Sequence, residues 1–152
     1  MNTHQISPIN LLYYREQTSI NKLYTFLERE IAAKLQQEAI ANHLLITGPV
    51  CWTYLGFMGD ETEPFTLEVG IPVNKIPEEY QGEFQFKTTS LFNCVSTMHF
   101  GDWMQLPVTY GKLMAYLNTQ GLTPTGENRE LYINANFDQP DANITWVQIG
   151  VK

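Results

Sequence analysis

The chain carries a similar pattern of residues twice, about 80 positions apart. Residues 50–57 align with residues 130–137, and residues 67–70 align with residues 147–150. A segment with helical periodicity precedes the first member of each pair. A duplicated unit usually packs about a pseudo-twofold axis, and the seam between its halves is a natural place for a ligand cleft. The alignment also places Glu130 opposite Val50, so one half has an acid where the other is apolar.

Length, charge and composition restrict the class of protein. The 152 residues, 43% of them hydrophobic, fit a single domain over residues 1–152 with its own core. A net charge of −7 and scattered basic residues argue against direct nucleic-acid binding, which needs clustered Lys and Arg. No apolar run is as long as a membrane span, and the N-terminus lacks a signal peptide's features. We therefore expect a cytoplasmic protein without a membrane partner, in which Cys51 and Cys94 are reduced.

Each half reads as strand, helix, strand, strand, over about residues 9–73 and about 84–152. The predicted elements of the first half are a strand over 9–16, a helix from Thr18 or Ser19 to about Ala41, and strands over 50–57 and 65–73 joined by a turn at 58–64. Those of the second half are a strand over 84–99, a helix with a capping box at Asp102 that ends near Gly121, and strands over 130–135 and 143–151. The fold class is thus α+β, a largely antiparallel sheet with two long helices and a central cleft.

Alternation along the strands predicts which side chains share a face. Leu67, Val69 and Ile71 form an apolar face, as do Val147 and Ile149, and these are the expected partners of the helices. The opposite face is then expected to present six side chains together: Trp52, Tyr54, Glu68, Glu130, Tyr132 and Trp146. Aromatic walls around carboxylates suit a flat or lipophilic cation. They also suit a carboxylate with a raised pKa that exchanges protons near neutral pH.

Other chemistries find little support in the chain. No Cys and His set has the spacing of zinc ligands, and no glycine-rich phosphate loop is present. We therefore expect neither a metal nor another cofactor. His99, beside a predicted helix start, is interpreted as a structural hydrogen-bonding residue.

Three motifs in order resemble a known family. They are His99–Trp103, in which a His-x-Gly-x-aromatic pattern leads into a helix, Arg129–Tyr132, an Arg-Glu-x-Tyr strand, and Phe65–Val73, a Glu-x-Gly-x-Pro-Val strand. Together they resemble the GyrI-like (gyrase-inhibitor-like) domain, the effector-binding module of bacterial transcription activators. The resemblance covers about Ile9 to Val151.

The resemblance implies two strand-helix-strand-strand repeats around a cleft that binds aromatic or lipophilic, often cationic, small molecules. It implies that Glu130 is the main polar anchor and that Trp103, Tyr132 and Trp146 supply pocket walls. Glu68 matches a family position without a clear role. Because no room remains for a DNA-binding module, the expectation is a stand-alone version of the domain.

Three functions stay open at this point. The first is capture of a lipophilic cation for sensing or sequestration, with Glu130 as counter-charge and aromatic walls around it. The second is a hydrolase of electrophilic, cyclopropane-bearing molecules, with Glu130 as general acid or base and Glu68 as second carboxylate. The third is a protein-interaction module of gyrase-inhibitor type, acting through its acidic surface. The ligand's identity, the oligomeric state and any separate DNA-binding or gyrase partner are left open.

Overall fold

A computed structural model describes residues 1–57 and 61–152, apart from the side chain of Tyr24. Within these residues the chain forms one eight-stranded sheet in which all neighbouring strands are antiparallel. The strands are β1 (Asn2–Ile6), β2 (Asn10–Thr18), β3 (Cys51–Leu55), β4 (Phe65–Pro72), β5 (Gln85–Thr88), β6 (Phe92–Phe100), β7 (Pro124–Asn134) and β8 (Ile144–Val151). The helices are α1 (Leu23–Leu27), α2 (Ile31–Ala41) and α3 (Leu106–Gln120). This confirms the predicted α+β class.

The strand order β1-β6-β8-β7-β3-β4-β2-β5 places corresponding strands of the two halves at matching positions about the central β3–β7 pair. One constant offset does not relate all of them. Glu68 lies opposite Thr53, whereas Gln148 lies opposite Arg129. The step from Glu68 to Gln148 equals the predicted 80 residues, but the step from Thr53 to Arg129 falls four residues short of it. The sequence alignment of Glu130 with Val50 is therefore wrong. When β4 is aligned with β8, the residue of β3 that corresponds to Glu130 is Tyr54.

The two helical predictions had different outcomes. The second begins with a 3₁₀ turn over Trp103–Gln105, capped by Asp102, whose carboxylate accepts a hydrogen bond from the Met104 backbone N–H at 2.9 Å. It continues as α3, which ends at Gly121 in the left-handed conformation. The first is interrupted, because Glu30 adopts a left-handed φ of 53° between α1 and α2. Arg29, just before the break, forms an ion pair with Glu16 of β2 at 2.8 Å, which attaches this turn to the sheet.

The single strand predicted over 84–99 is divided between β5 and β6, and β1 was not predicted. The β1–β6 and β2–β5 pairs share one register, and between them the Thr89 N–H donates to the Ile9 carbonyl at 2.8 Å. Together they form a continuous two-stranded ribbon from one half of the sheet to the other. The predicted turn at 58–64 lies partly outside the described residues, which omit 58–60.

The ribbon forces the sheet to curl. Only residues 89–91 separate β5 from β6, and four steps along the chain reach at most about 14 Å. In a flat sheet, six intervening strand spacings would hold these strands roughly 29 Å apart. The sheet therefore has an outer face that carries the helices and an inner face that the ribbon closes. We call these the helix face, which includes Trp52, Val69, Glu130 and Val147, and the ribbon face, which includes Thr53, Glu68, Arg129 and Gln148.

Two apolar clusters lie on the helix face. One packs α2, through Leu35 and Ala39, against β4. The other packs α3, through Leu113 and Leu117, against β8. The central strands β3 and β7 lie between these clusters, so the middle of the helix face is left to aromatic and polar side chains.

Candidate functional site

Glu130 is the polar centre of the helix face. It lies on β7 opposite Trp52 and Val147, with 4% of its surface exposed. Three phenol groups donate hydrogen bonds to its carboxylate. Tyr54 and Tyr132 bond to Oε1 at 3.1 and 2.7 Å, and Tyr110 of α3 bonds to Oε2 at 2.6 Å. The carboxylate therefore has donors from β3, β7 and α3, and all of them are neutral.

Burial dominates the electrostatics of this group. It raises the pKa of Glu130 above its ordinary value of 4.5, although the three phenols act in the opposite direction. Burial and the neighbouring Glu130 charge raise the pKa values of Tyr54, Tyr110 and Tyr132 well above 10. The phenols therefore remain protonated donors, and the carboxylate has no cation of its own among them.

Five aromatic side chains form a row beside Glu130. The rings of Phe26, Trp52, Tyr132, Trp103 and Phe137 follow one another with centroid distances of 5.7, 5.8, 5.6 and 5.3 Å. Each contact is edge-to-face, the preferred geometry of aromatic pairs. The row begins with buried Phe26 and ends with Phe137, which is 70% exposed. It thus extends from the interior to the surface past the carboxylate.

The far end of the row is fixed by hydrogen bonds. The Trp103 indole N–H donates to Thr145 Oγ1 at 3.0 Å. His99 holds the start of α3 against β6, since Nε2 donates to the Asp102 carbonyl at 2.8 Å and Nδ1 lies 2.7 Å from Thr109 Oγ1. The prediction that His99 is a structural hydrogen-bonding residue is confirmed.

Two of the predicted site residues lie elsewhere. Glu68 and Trp146 were expected beside Glu130, but both are on the ribbon face. Trp52 pairs with Val69 rather than with Glu68, and Trp146 pairs with Leu131 rather than with Glu130. The expectation that the aromatic and apolar faces are opposite was wrong for the same reason. Side chains alternate within each strand as predicted, but this alternation does not fix the register between neighbouring strands.

Glu68 has a different environment. It is 2% exposed, and its carboxylate forms ion pairs with Arg15 and Lys87. Arg15 Nε donates at 2.8 Å and Lys87 Nζ at 2.6 Å. This carboxylate is therefore neutralised within the protein. The structure brings Trp52, Tyr54, Trp103, Tyr132 and Glu130 together and leaves Glu68 and Trp146 outside.

Three aromatic side chains of the site were not predicted as such. Phe26 and Tyr110 lie at the three- and four-residue spacing of apolar helical stripes, which predicts core positions, and no motif marks Phe137 as a site residue. Tyr110 carried a signal that could have been used, because a buried tyrosine in an otherwise aliphatic stripe needs a partner for its hydroxyl. Phe26 and Phe137 carried no comparable signal, since a phenylalanine packs equally well in a core.

Among the described residues, the cysteines and acidic groups form no cluster suited to nucleophilic or metal-dependent chemistry. Burial raises the pKa values of Cys51 and Cys94 to about 11, so both thiols are protonated at neutral pH. Within residues 1–57 and 61–152, no three His, Cys, Asp or Glu side chains are grouped closely enough to hold a metal ion. In the same ranges, no helix has both the length and the apolarity needed to cross a bilayer.

Comparison with known proteins rests on structure, because no protein-family model and no curated protein matches the chain. The C-terminal domain of EcmrR superimposes with a TM-score of 0.80 and 21% identity, over 99% of this chain and 96% of that domain. Measured against the EcmrR chain in its DNA complex, the match spans 56% of its length. The fold implied by the GyrI-like resemblance is thus confirmed.

Two further structures share the fold at lower similarity. SAV2435, solved with tetraphenylphosphonium bound, matches at a TM-score of 0.63 and 13% identity, over 99% of this chain and 93% of that one. A hydrolase from Listeria innocua matches at 0.62 and 13%, over 99% and 91%. Effector-binding domains, a ligand-bound protein and an enzyme are therefore all built on this fold.

Proposed function

We propose that the protein captures a lipophilic, aromatic cation beside Glu130, against the row of aromatic rings, for sensing or sequestration. The observation that carries the proposal is the buried Glu130 carboxylate, which is bonded to three neutral phenols and faces a row of aromatic rings. A cation seated against the row would gain cation–π attraction and the negative charge of the carboxylate. The phenols would keep that carboxylate in place.

Two further observations support this function. The row of rings offers the apolar area that a lipophilic ligand requires. Its only hydrogen-bond donors are the indole N–H groups and the tyrosine hydroxyl at the ring edges. SAV2435, which shares the fold, was solved with the lipophilic cation tetraphenylphosphonium bound.

For the location of the protein, free Cys51 and Cys94 are in keeping with a reducing, cytoplasmic environment.

The test compares tetraphenylphosphonium with triphenylphosphine oxide, which is neutral and also carries phenyl rings. Binding is followed by tryptophan fluorescence, because Trp52 and Trp103 lie in the aromatic row. We expect the wild type to prefer the cation and Glu130→Gln to bind it at least thirtyfold more weakly, the equivalent of about 2 kcal/mol. Glu68→Gln is the matched control, since it removes the other buried carboxylate, and its affinity should equal that of the wild type. Equal binding of cation and oxide by the wild type would refute the charge-anchor role.

An enzymatic function is the second candidate. The raised pKa of Glu130 and its three phenols would suit proton transfer to an electrophilic small molecule or to its attacking water. The Listeria innocua hydrolase supports this candidate through the shared fold alone. Here Glu130→Gln would abolish turnover while leaving substrate binding intact, whereas a cation-binding protein would lose the affinity itself.

A further inference from the structure

The curled sheet encloses a second cavity on the ribbon face, on the other side of the sheet from Glu130. Its volume is about 230 Å³, somewhat below the roughly 300–1,000 Å³ of typical small-molecule pockets. Thr53 and Arg129 contribute from the central strands, Glu68 from β4, and residues 87–92 from the ribbon. A ligand here would be separated from the aromatic cleft by the sheet itself.

The charged groups at this cavity are two cations with two carboxylates, and a third cation adjoins them. Lys87 and Arg129 line the cavity together with Glu68 and Glu127. Arg15, which is ion-paired with Glu68, lies outside the lining with half of its side chain exposed. Arg129 is largely buried, with 11% of its side chain exposed, so water screens its charge only weakly.

Donor groups remain available after these ion pairs are counted. Among the described residues, Lys87 Nζ donates to Glu68 Oε1 only, which leaves two of its three N–H groups. Arg129 directs Nε and Nη2 to Glu127 Oε2, at 2.9 and 2.7 Å, so its Nη1 group is left for another acceptor. Both side chains line the cavity. An anion between them would receive hydrogen bonds from two cations.

Gln148 supplies an independent observation. It lies directly opposite Arg129 in the β7–β8 register and is 1% exposed. Within residues 1–57 and 61–152, neither its amide nitrogen nor its amide oxygen has a hydrogen-bond partner. A buried amide without partners is costly, and directly opposed side chains have Cβ atoms only about 5 Å apart. Gln148 lies beside Arg129 on the same face of the sheet, next to the residues that line the cavity but not among them.

The rest of the cavity wall is apolar. Ile9, Leu11, Leu91 and Phe92 line it beside the charged groups. The Phe92 ring lies under the Arg129 guanidinium, 3.8 Å from its carbon to the ring centroid. The site thus combines a cationic end with an apolar end, and an anion that is polar throughout would fill only part of it.

We propose that the ribbon-face cavity binds a small organic monocarboxylate. Its carboxylate would lie between Lys87 and Arg129, and its apolar part would lie against Leu91 and Phe92. The free N–H groups of Lys87 Nζ and Arg129 Nη1 would each donate to one oxygen of the ligand's carboxylate. This site differs from the cation cleft in face, charge and ligand class, and its existence does not depend on the function proposed for that cleft.

The test uses benzoate as the probe, with neutral benzamide and inorganic phosphate for comparison. Affinities come from calorimetry and the location from amide chemical-shift changes. We expect benzoate to bind more tightly than either comparison compound and to shift the signals of Lys87, Arg129 and Gln148. Lys87→Gln and Arg129→Gln should each weaken benzoate about tenfold, as expected for the loss of a charged hydrogen bond. Lys112→Gln, which removes a lysine from α3, should leave the affinity unchanged.

Several results would overturn the proposal. Equal binding of benzoate and benzamide would remove the need for charge, and tighter binding of phosphate would indicate an inorganic-anion site instead. Shifts centred on Tyr54 and Tyr132 would move the ligand to the other face. If Arg129→Gln does not fold, Lys87→Gln on edge strand β5 gives the same test, and unchanged affinity in that variant would contradict the proposal.

Discussion

The two most deeply buried glutamates, Glu130 and Glu68, lie on opposite faces of the same sheet and are stabilised in different ways. Glu68 forms ion pairs with Arg15 and Lys87, so its charge is neutralised within the chain. Glu130 receives hydrogen bonds from neutral phenols, and burial raises its pKa. Glu68 has two counter-charges within the chain, whereas the three groups that donate to Glu130 are all neutral.

On this difference rests our proposal that Glu130 is a functional carboxylate and Glu68 a structural one. Strand alternation predicts that both glutamates share one face, and the family resemblance implies that Glu130 is the main polar anchor and gives Glu68 no clear role. A buried negative charge is tolerated when the protein supplies the opposite charge, and otherwise its pKa shifts toward the neutral form. Glu130, together with its aromatic row, therefore has the electrostatic profile of a ligand site, and Glu68 has that of a structural ion-pair centre.

Stability measurements should show the largest contrast between the two. We expect Glu68→Gln to lower the free energy of unfolding at pH 7 by about 2 kcal/mol, because it leaves Arg15 and Lys87 without their shared partner. Loss of one member of a buried pair typically costs 3–5 kcal/mol, but the Arg15 side chain is 50% exposed and can turn to water, which reduces the effect.

The same substitution at Glu130 should not destabilise the protein at pH 7, because no cation loses its partner. The amide oxygen can still accept from Tyr54 and Tyr132, and the amide NH2 group can donate to the Tyr110 hydroxyl oxygen. Urea unfolding of both variants gives the comparison directly, provided that the m-value is unchanged. Equal destabilisation of Glu68→Gln and Glu130→Gln would show that the two carboxylates have the same role.

A smaller effect is expected when one phenol is removed. Tyr110→Phe deletes the 2.6 Å hydrogen bond to Glu130 Oε2 and should lower the free energy of unfolding by about 1.5 kcal/mol, the lower end for bonds to a charged group. It should also raise the pKa of Glu130 further. Tyr116→Phe is the matched control on α3, because its hydroxyl is not among the donors to Glu130. The role assigned to Tyr110 would be wrong if both variants unfolded at the same urea concentration.

The elements that could be predicted from the sequence were those with a local cause. The apolar stripe of Leu113 and Leu117, the Asp102 cap and the Gly121 stop predicted α3, and alternation predicted β4 and β8. The break at Glu30 had no such signal, because the helical spacing of Phe26, Ile31 and Leu35 continues across it. Beside the break, Arg29 forms an ion pair with Glu16 of β2, a contact between two elements that helical spacing does not predict.

The composition of the site depended on long-range register. Glu68 was grouped with Glu130 because both alternate away from apolar neighbours, but the pairing of Trp52 with Val69 puts Glu68 on the other face. A shift of one residue reverses a face, and no local pattern contains that information. The ribbon that closes the inner face also depends on long-range contacts, because β1 pairs with β6 and β5 pairs with β2.

The most direct test of the account is the pKa of the Glu130 carboxyl, measured by ¹³C NMR titration with and without tetraphenylphosphonium, using Glu130→Gln to assign the signal. In the free protein we expect a pKa above 4.5. Since the folded pKa is then above the unfolded one, protonation of Glu130 stabilises the fold. That contribution is complete below the unfolded pKa and is lost as the pH rises through the folded pKa. A bound cation favours the charged form, so it should lower the pKa, and the affinity for the cation should rise with pH. A pKa at or below 4.5 in the free protein, or one that the cation does not move, would contradict the account.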